Sequence, residues 1–241
     1  MTRSFLVTAL LLILAAGAAL AATLSSSYTS PKLSSGEVKV ANVCIMPAEG
    51  QLSRLGMKGR EGMSQESDTW GMQLQSVVEN HLKEIGAKVT SEGMSPSELE
   101  TNDKLRQLVL QVQQKFDTVA TQMNRKPKDI KKERYTMGDE AALLPCSGKS
   151  DALVFVEGTG SVLTGGKKAF GALVAGPSHS DASLRITFVD AKSGDVLAYT
   201  FLYNNNGKFE QDPEAAYGKR LGKEFQRIGI GPRPGRDSAG K

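Results

Sequence analysis

The side chains from which this 241-residue chain could assemble a reactive site are few: two histidines, two cysteines and 26 carboxylates with no evident grouping. His81 falls on or beside the apolar stripe of a helical pattern, which reads as a satisfied core imidazole rather than a ligand or a catalyst. His179 lies between Ser178 and Ser180 in a Gly/Ser-rich stretch. A serine nucleophile needs an adjacent base and a third group to orient that base, and the chain has no G-x-S-x-G elbow. Gly158-Thr159-Gly160 and Gly165-Gly166-Lys167-Lys168 follow an apolar run, where a glycine-rich loop can cradle phosphate. Neither dinucleotide nor P-loop spacing is present, so these glycines read as a loop with unusual backbone dihedrals. Asp139, Glu140, Asp151, Glu157 and Asp190 supply enough carboxylates for an acid/base pair, but their spacing does not require one. Asp151 at a strand start and Asp190 at a turn have ordinary structural roles. Arg125 to Arg134 carries six basic and two acidic residues and reads as a solvated face.

The element that must organise these residues is Asp151 to Gly160, DALVFVEGTG. Its run from Ala152 to Val156 is continuously apolar, as expected of a strand buried on both faces. Val38 to Met46 is a second such strand, ended by Pro47. Ala48 to Ser67, with four glycines in GQLSRLGMKGREGMSQES, reads as a long loop of a length that is commonly functional. Ser67 or Asp68 is placed to cap a helix with Trp70, Leu74, Val77, Val78, Leu82 and Ile85 on one face and Gly86 at its end. Lys88 to Ser91 forms at most a short strand. Asn102 or Asp103 caps a second helix with the stripe Leu105, Leu108, Val109, Val112, Phe116, Val119. Asp139 to Leu144 adds a helical turn before the central strand. Ala182 to Asp190 alternates Leu184, Ile186 and Phe188 inward, and Gly194 supplies the turn into a return strand ending at Tyr203. Asp212-Pro213 opens a last helix with Ala216, Tyr217, Leu221, Phe225 and Ile228 buried. The expected fold is α/β: a mixed β-sheet with flanking helices in the order β-α-(β)-α-β-β-β-α, as a single domain.

The N-terminus speaks to location. Arg3 precedes an apolar run and Ala19-Leu20-Ala21 has the form of a cleavage site, the layout of a secretory signal peptide. The expected organisation is a signal peptide over 1–21, a flexible leader over 22–36, the α/β domain over 37–229 and a disordered tail over 230–241. The competing reading is an uncleaved membrane anchor, because the uncharged stretch barely reaches spanning length. The mature chain is expected to be extracytoplasmic, periplasmic or secreted, with no transmembrane span. Its net charge of +4 does not imply a nucleic-acid surface. An oxidising compartment permits a bridge between Cys44 and Cys146. If their strands run parallel and adjacent, however, the two residues sit toward opposite ends of the sheet, and a bridge requires the intervening loop to fold back. Their spacing fits no metal motif.

VANVCIMPA, HLKEIGAKVTSEG, KSDALVFVEGTG and LRITFVDAKSGDVLAYTF, taken in order, resemble the envelope superfamily of the curli secretion subunit (CsgG-like) and the penicillin-binding-protein activator (LpoB-like). The matching positions are Val43 to Pro47, Gly86, Ser150-Asp151 and Asp190 to Val196. The lipidated cysteine of the familiar members has no counterpart here. The resemblance implies a non-catalytic envelope protein that binds other proteins.

These readings lead to a secreted or periplasmic binding or adaptor protein that uses no cofactor and no metal. Its partner would be an envelope protein or a second copy, and peripheral membrane contact is compatible with the layout. The binding residues are expected in the segment after the central strand: Gly165, Gly166, Lys167, Lys168, Phe170, Leu173 and Val174, whose apolar members would be wasted in an ordinary solvent loop. The rivals are an oligomeric assembly or secretion component, and a secreted enzyme with carboxylates around Glu157 and Asp190.

Overall fold

A computed structural model describes residues 25–90, 94–125, 135–166, 180–205 and 209–231. The elements run β1 (Ser25–Thr29), α1 (Pro31–Ser35), β2 (Asn42–Ile45), β3 (Glu49–Gly56), β4 (Gly59–Gly62), α2 (Ser64–Glu84), β5 (Lys88–Thr90), α3 (Pro96–Thr101) and α4 (Asp103–Arg125). Two 3₁₀ turns follow (Gly138–Leu143, Ser147–Lys149), then β6 (Ala152–Leu163), β7 (Asp181–Asp190), β8 (Val196–Asn204), a π-helical turn (Glu214–Gly218) and α5 (Lys219–Ile228).

All eight strands form one mixed sheet, in the order β1-β8-β7-β6-β2-β5. β6 is its centre. β7 pairs with it antiparallel through ten residue pairs, while β2 and then β3 run parallel along its other edge. The chain steps from β2 to β3 at Pro47, so β3 continues the same path and pairs Glu49–Leu55 with Glu157–Leu163. β4 pairs only with β3. The α/β class with a mixed sheet and flanking helices is as the periodicities predict.

Ala152 to Val156 are all buried, and their alternation divides the core in two. Val154 and Val156 point toward α2 and α5, where they meet Trp70, Leu74, Leu82, Leu221 and Phe225. Leu153 and Phe155 point toward α4, where they meet Val112, Phe116 and Val119. The predicted stripes of α2, α4 and α5 are the buried faces, and Asn102 and Asp212 cap as expected, accepting from the N–H groups of Leu105 (3.1 Å) and Ala215 (2.9 Å). Gly194 sits at φ 69° in the β7–β8 turn.

Several expectations are overturned. The segment read as a flexible leader contributes β1, which pairs antiparallel with β8, and α1, capped by Ser30. The long loop over 48–67 is instead β3, β4 and the first turn of α2. The reason lies in its glycines. A Cβ on Gly50 would stand 2.3 Å from the carbonyl oxygen of Ser67, and one on Gly71 would stand 3.0 Å from that of Ala48, so helix and strand touch backbone to backbone. Ser67 lies inside α2 rather than at its cap. Its hydroxyl donates to the Met63 carbonyl and accepts from Leu52 N–H at 2.8 Å, tying helix to strand.

Gly158 and Gly160 likewise belong to strand rather than loop, and no unusual dihedral is involved. A side chain at Gly158 would collide with Leu74 and Trp70, and one at Gly160 with Phe209 and Leu52. The glycines make room for the indole, whose Nε1 donates to the Phe209 carbonyl at 3.2 Å.

β7 is more than half-buried, since Thr187 and Val189 on its second face are also enclosed. Ile230 and Gly231, assigned from the sequence to the tail, are ordered parts of the fold. Ile230 is buried and its N–H donates to the Phe225 carbonyl at 3.0 Å.

Cys44 and Cys146 are joined in a disulfide, with Cα atoms 5.9 Å apart. The geometric objection fails because the chain doubles back. The two 3₁₀ turns lie over the α4-side core, which brings Met137, Ala141, Leu144 and Cys146 down against β2 and β6.

Candidate functional site

Among the described residues, the two faces of the sheet are covered unequally. On the α2/α5 face the apolar cover continues along β6 past Gly158 and Gly160 to Leu52 and Phe209. On the other face Phe155 stacks on Phe116 of α4 with ring centroids 3.9 Å apart. The next residues on that side are polar or aromatic. Strand register sets them in rows: Glu49, Glu157, Arg185 and Phe201 first, then Gln51, Thr159, Ser183 and Tyr203, then Ser53, Ser161 and Asp181.

The first row is the boundary of the core. Arg185 grips Glu157 through two hydrogen bonds, Nε to Oε2 at 2.7 Å and Nη2 to Oε1 at 2.5 Å, a bidentate pair. Burial, then the charges of Asp117 and Glu157, raise the Glu49 carboxyl above its ordinary pKa, and a hydrogen bond from Gln113 opposes the shift. Burial also raises Asp117, and Arg185 pulls it back. Beyond this row the sheet opens into a groove of about 510 Å³ whose lining includes Gln51, Ser53, Arg60, Thr159, Ser183 and Tyr203. The Thr159 and Ser183 hydroxyls are 2.7 Å apart, and Ser53 Oγ donates to the Gly160 carbonyl at 3.3 Å. Phe201 and Tyr203 present half-buried rings along the β8 side. Burial, with Asp181 beside it, raises the Tyr203 phenol. The arrangement offers hydroxyls, an amide, aromatic edges and one guanidinium on a rigid floor.

Of the binding residues expected from the sequence, Gly165 and Gly166 lie exposed just past the end of β6. Lys167, Lys168, Phe170, Leu173 and Val174 lie outside the described residues, as do His179 and the side chains of the basic run from Arg125 to Arg134. His81 is on the opposite face, linking Glu84 (Nδ1, 2.8 Å) to Glu214 (Nε2, 3.0 Å). The sequence-flagged carboxylates do not converge. Asp151 accepts from the N–H groups of Ala41 and Asn42 at 2.9 and 2.8 Å, holding the start of β2 against β6. Asp190 accepts from those of Lys192 and Ser193 at 2.9 and 2.7 Å, fixing the turn. Glu140 pairs with Lys115 at 3.3 Å. Only Glu157 reaches the open face, where it pairs across the strands with Glu49, and Asp117 acts on Glu49 from α4; sequence reasoning passed over both. Among the described residues no group of three or more His, Cys, Asp or Glu side chains is placed to hold a metal, and no helix is long and apolar enough to cross a membrane.

No protein-family profile matches the chain, and no curated protein matches it. Among solved structures, a PelC dodecamer from Paraburkholderia phytofirmans carrying a point substitution aligns with 86% of this chain and 99% of its own, at 11% identity and a TM-score of 0.40. A second PelC dodecamer from the same organism aligns with 87% of this chain and 99% of its own, at 10% identity and a TM-score of 0.39.

Proposed function

We propose that this chain is an extracytoplasmic, non-catalytic binding module of the cell envelope that engages another protein through the open half of its sheet. The observation that carries the reading is the unequal cover. The strands continue past the Glu157–Arg185 row, yet among the described residues the helical layer on one face stops there and polar and aromatic side chains take over. Tyr and Phe on a rigid, hydrogen-bonding floor match the make-up of protein interfaces. The buried disulfide supports an oxidising compartment. The structural engagement of Asp151, Asp190 and Glu157 favours binding over a carboxylate-based enzyme. The resemblance to the CsgG-like and LpoB-like superfamily points the same way.

Filling the groove with Thr159→Arg and Ser183→Arg tests this. Both side chains project from the sheet into the groove, so the unfolding temperature should stay near that of the parent protein. Capture of partners from envelope extracts and self-association by light scattering should both be lost. A double variant that keeps its fold, its partners and its assembly state would place the working surface elsewhere.

A further inference from the structure

The tip of the β3–β4 hairpin lies past the last β3–β6 pair, Leu55 with Leu163, at the end of the sheet. Gly56 pairs with Gly59 around a two-residue turn, Met57-Lys58, and Gly59 has φ 125°, a left-handed value suited to glycine. All four residues of β4 are exposed, and among the described residues no strand but β3 pairs with it. Met57, at the apex, is 62% exposed, the most of any large apolar side chain among the described residues. The others, Met72, Leu110 and Leu143, lie singly on helical surfaces, whereas Met57 has cations around it. Arg54, Lys58 and Arg60 are exposed on the same hairpin, and the one acid of its paired end, Ser53 to Gly62, is Glu61, which sits opposite Arg54. Lys58 and Arg60 are therefore left without a balancing charge at that end of the hairpin.

We propose that this hairpin docks the protein peripherally on an anionic lipid bilayer. Met57 enters the boundary between headgroups and acyl chains, while Lys58 and Arg60 reach back to the phosphates along their aliphatic stems. Charge complementarity selects an anionic surface. The exposed thioether at the apex, carried on the same hairpin as Arg54, Lys58 and Arg60, matches the headgroup boundary, where an apolar tip meets acyl chains and cations meet phosphates. Because Arg60 also lines the groove, docking holds the open sheet face close to the membrane plane.

The test uses the exported protein, with its N-terminus sequenced, sedimented with vesicles of phosphatidylcholine containing phosphatidylglycerol and with vesicles of phosphatidylcholine alone. Binding should favour the anionic vesicles and weaken as salt rises. Lys58→Gln should weaken it about fivefold, the loss of one cation near the surface, and Met57→Ser with Lys58→Glu should weaken it further. Neither residue lines the groove, so partner capture should persist in both variants. Since Cys44 and Cys146 are bonded to each other, Met57→Cys can carry a single environment-sensitive fluorophore, which should shift to the blue on anionic vesicles. The proposal is overturned by equal binding to both vesicle types, by no binding, by binding unchanged in the double variant, or by a residue-57 probe that stays in water while the protein is bound.

Discussion

Replacing both Cys44 and Cys146 with alanine is expected to lower the unfolding free energy by about 4–5 kcal/mol, the loop-closure term for a bridge of this span. The bridge closes 102 residues, so its loss enlarges the unfolded ensemble considerably. It also frees a segment with little regular structure to hold it. The two 3₁₀ turns between Gly138 and Lys149 place Ala141, Leu144 and Cys146 in the α4-side core, with Ser147 Oγ donating to the Ala141 carbonyl. Denaturant unfolding of the double variant beside the parent protein measures the effect. A loss under about 1 kcal/mol would mean that apolar contacts alone hold the segment.

Phe155→Ala is the second large effect, expected at roughly 3–5 kcal/mol. The ring is fully buried and lies nearly parallel to Phe116, with an interplanar angle of 10°. Truncation leaves a cavity between the central strand and α4 that neither element can close, because β6 is held by partners on both edges. Val154→Ala on the other face should cost less, since fewer atoms are removed. If unfolding in denaturant shows Phe155→Ala costing no more than Val154→Ala, α4 is not anchored on this strand.

Much of this fold was legible where burial imposes a period. The stripes of Trp70 to Leu82, Val109 to Val119 and Leu221 to Ile228 face the core because each helix lays one face on the sheet. The β3–β4 hairpin was illegible for a physical reason. Gly50 is there for Gly71 of α2, and Gly56 and Gly59 flank the turn, so a stretch with one contact-driven glycine and two turn glycines reads as a loop. β1, SSSYT, is a polar edge strand and carries the composition of a linker.

The open face had a faint signal that went unread. From Glu157 to Ser161 polar residues alternate with glycine, the period of a strand that continues past its apolar run with polar side chains on one face. Glu49 could not be placed beside Glu157 without the register, because their closeness depends on β3 following β2 along the same edge of β6, and Asp117 reaches Glu49 only through the packing of α4 on the sheet. The disulfide likewise depended on a fold-back that no periodicity encodes.

The most direct measurement is site-specific photo-crosslinking in the native envelope. A benzophenone side chain is placed at Thr159, on the open sheet face, and in a second protein at Met72, exposed on the outer surface of α2. Binding through the open half of the sheet predicts a discrete crosslinked protein from position 159 and none from position 72. Crosslinks from position 72 alone, or the same products from both, would contradict it.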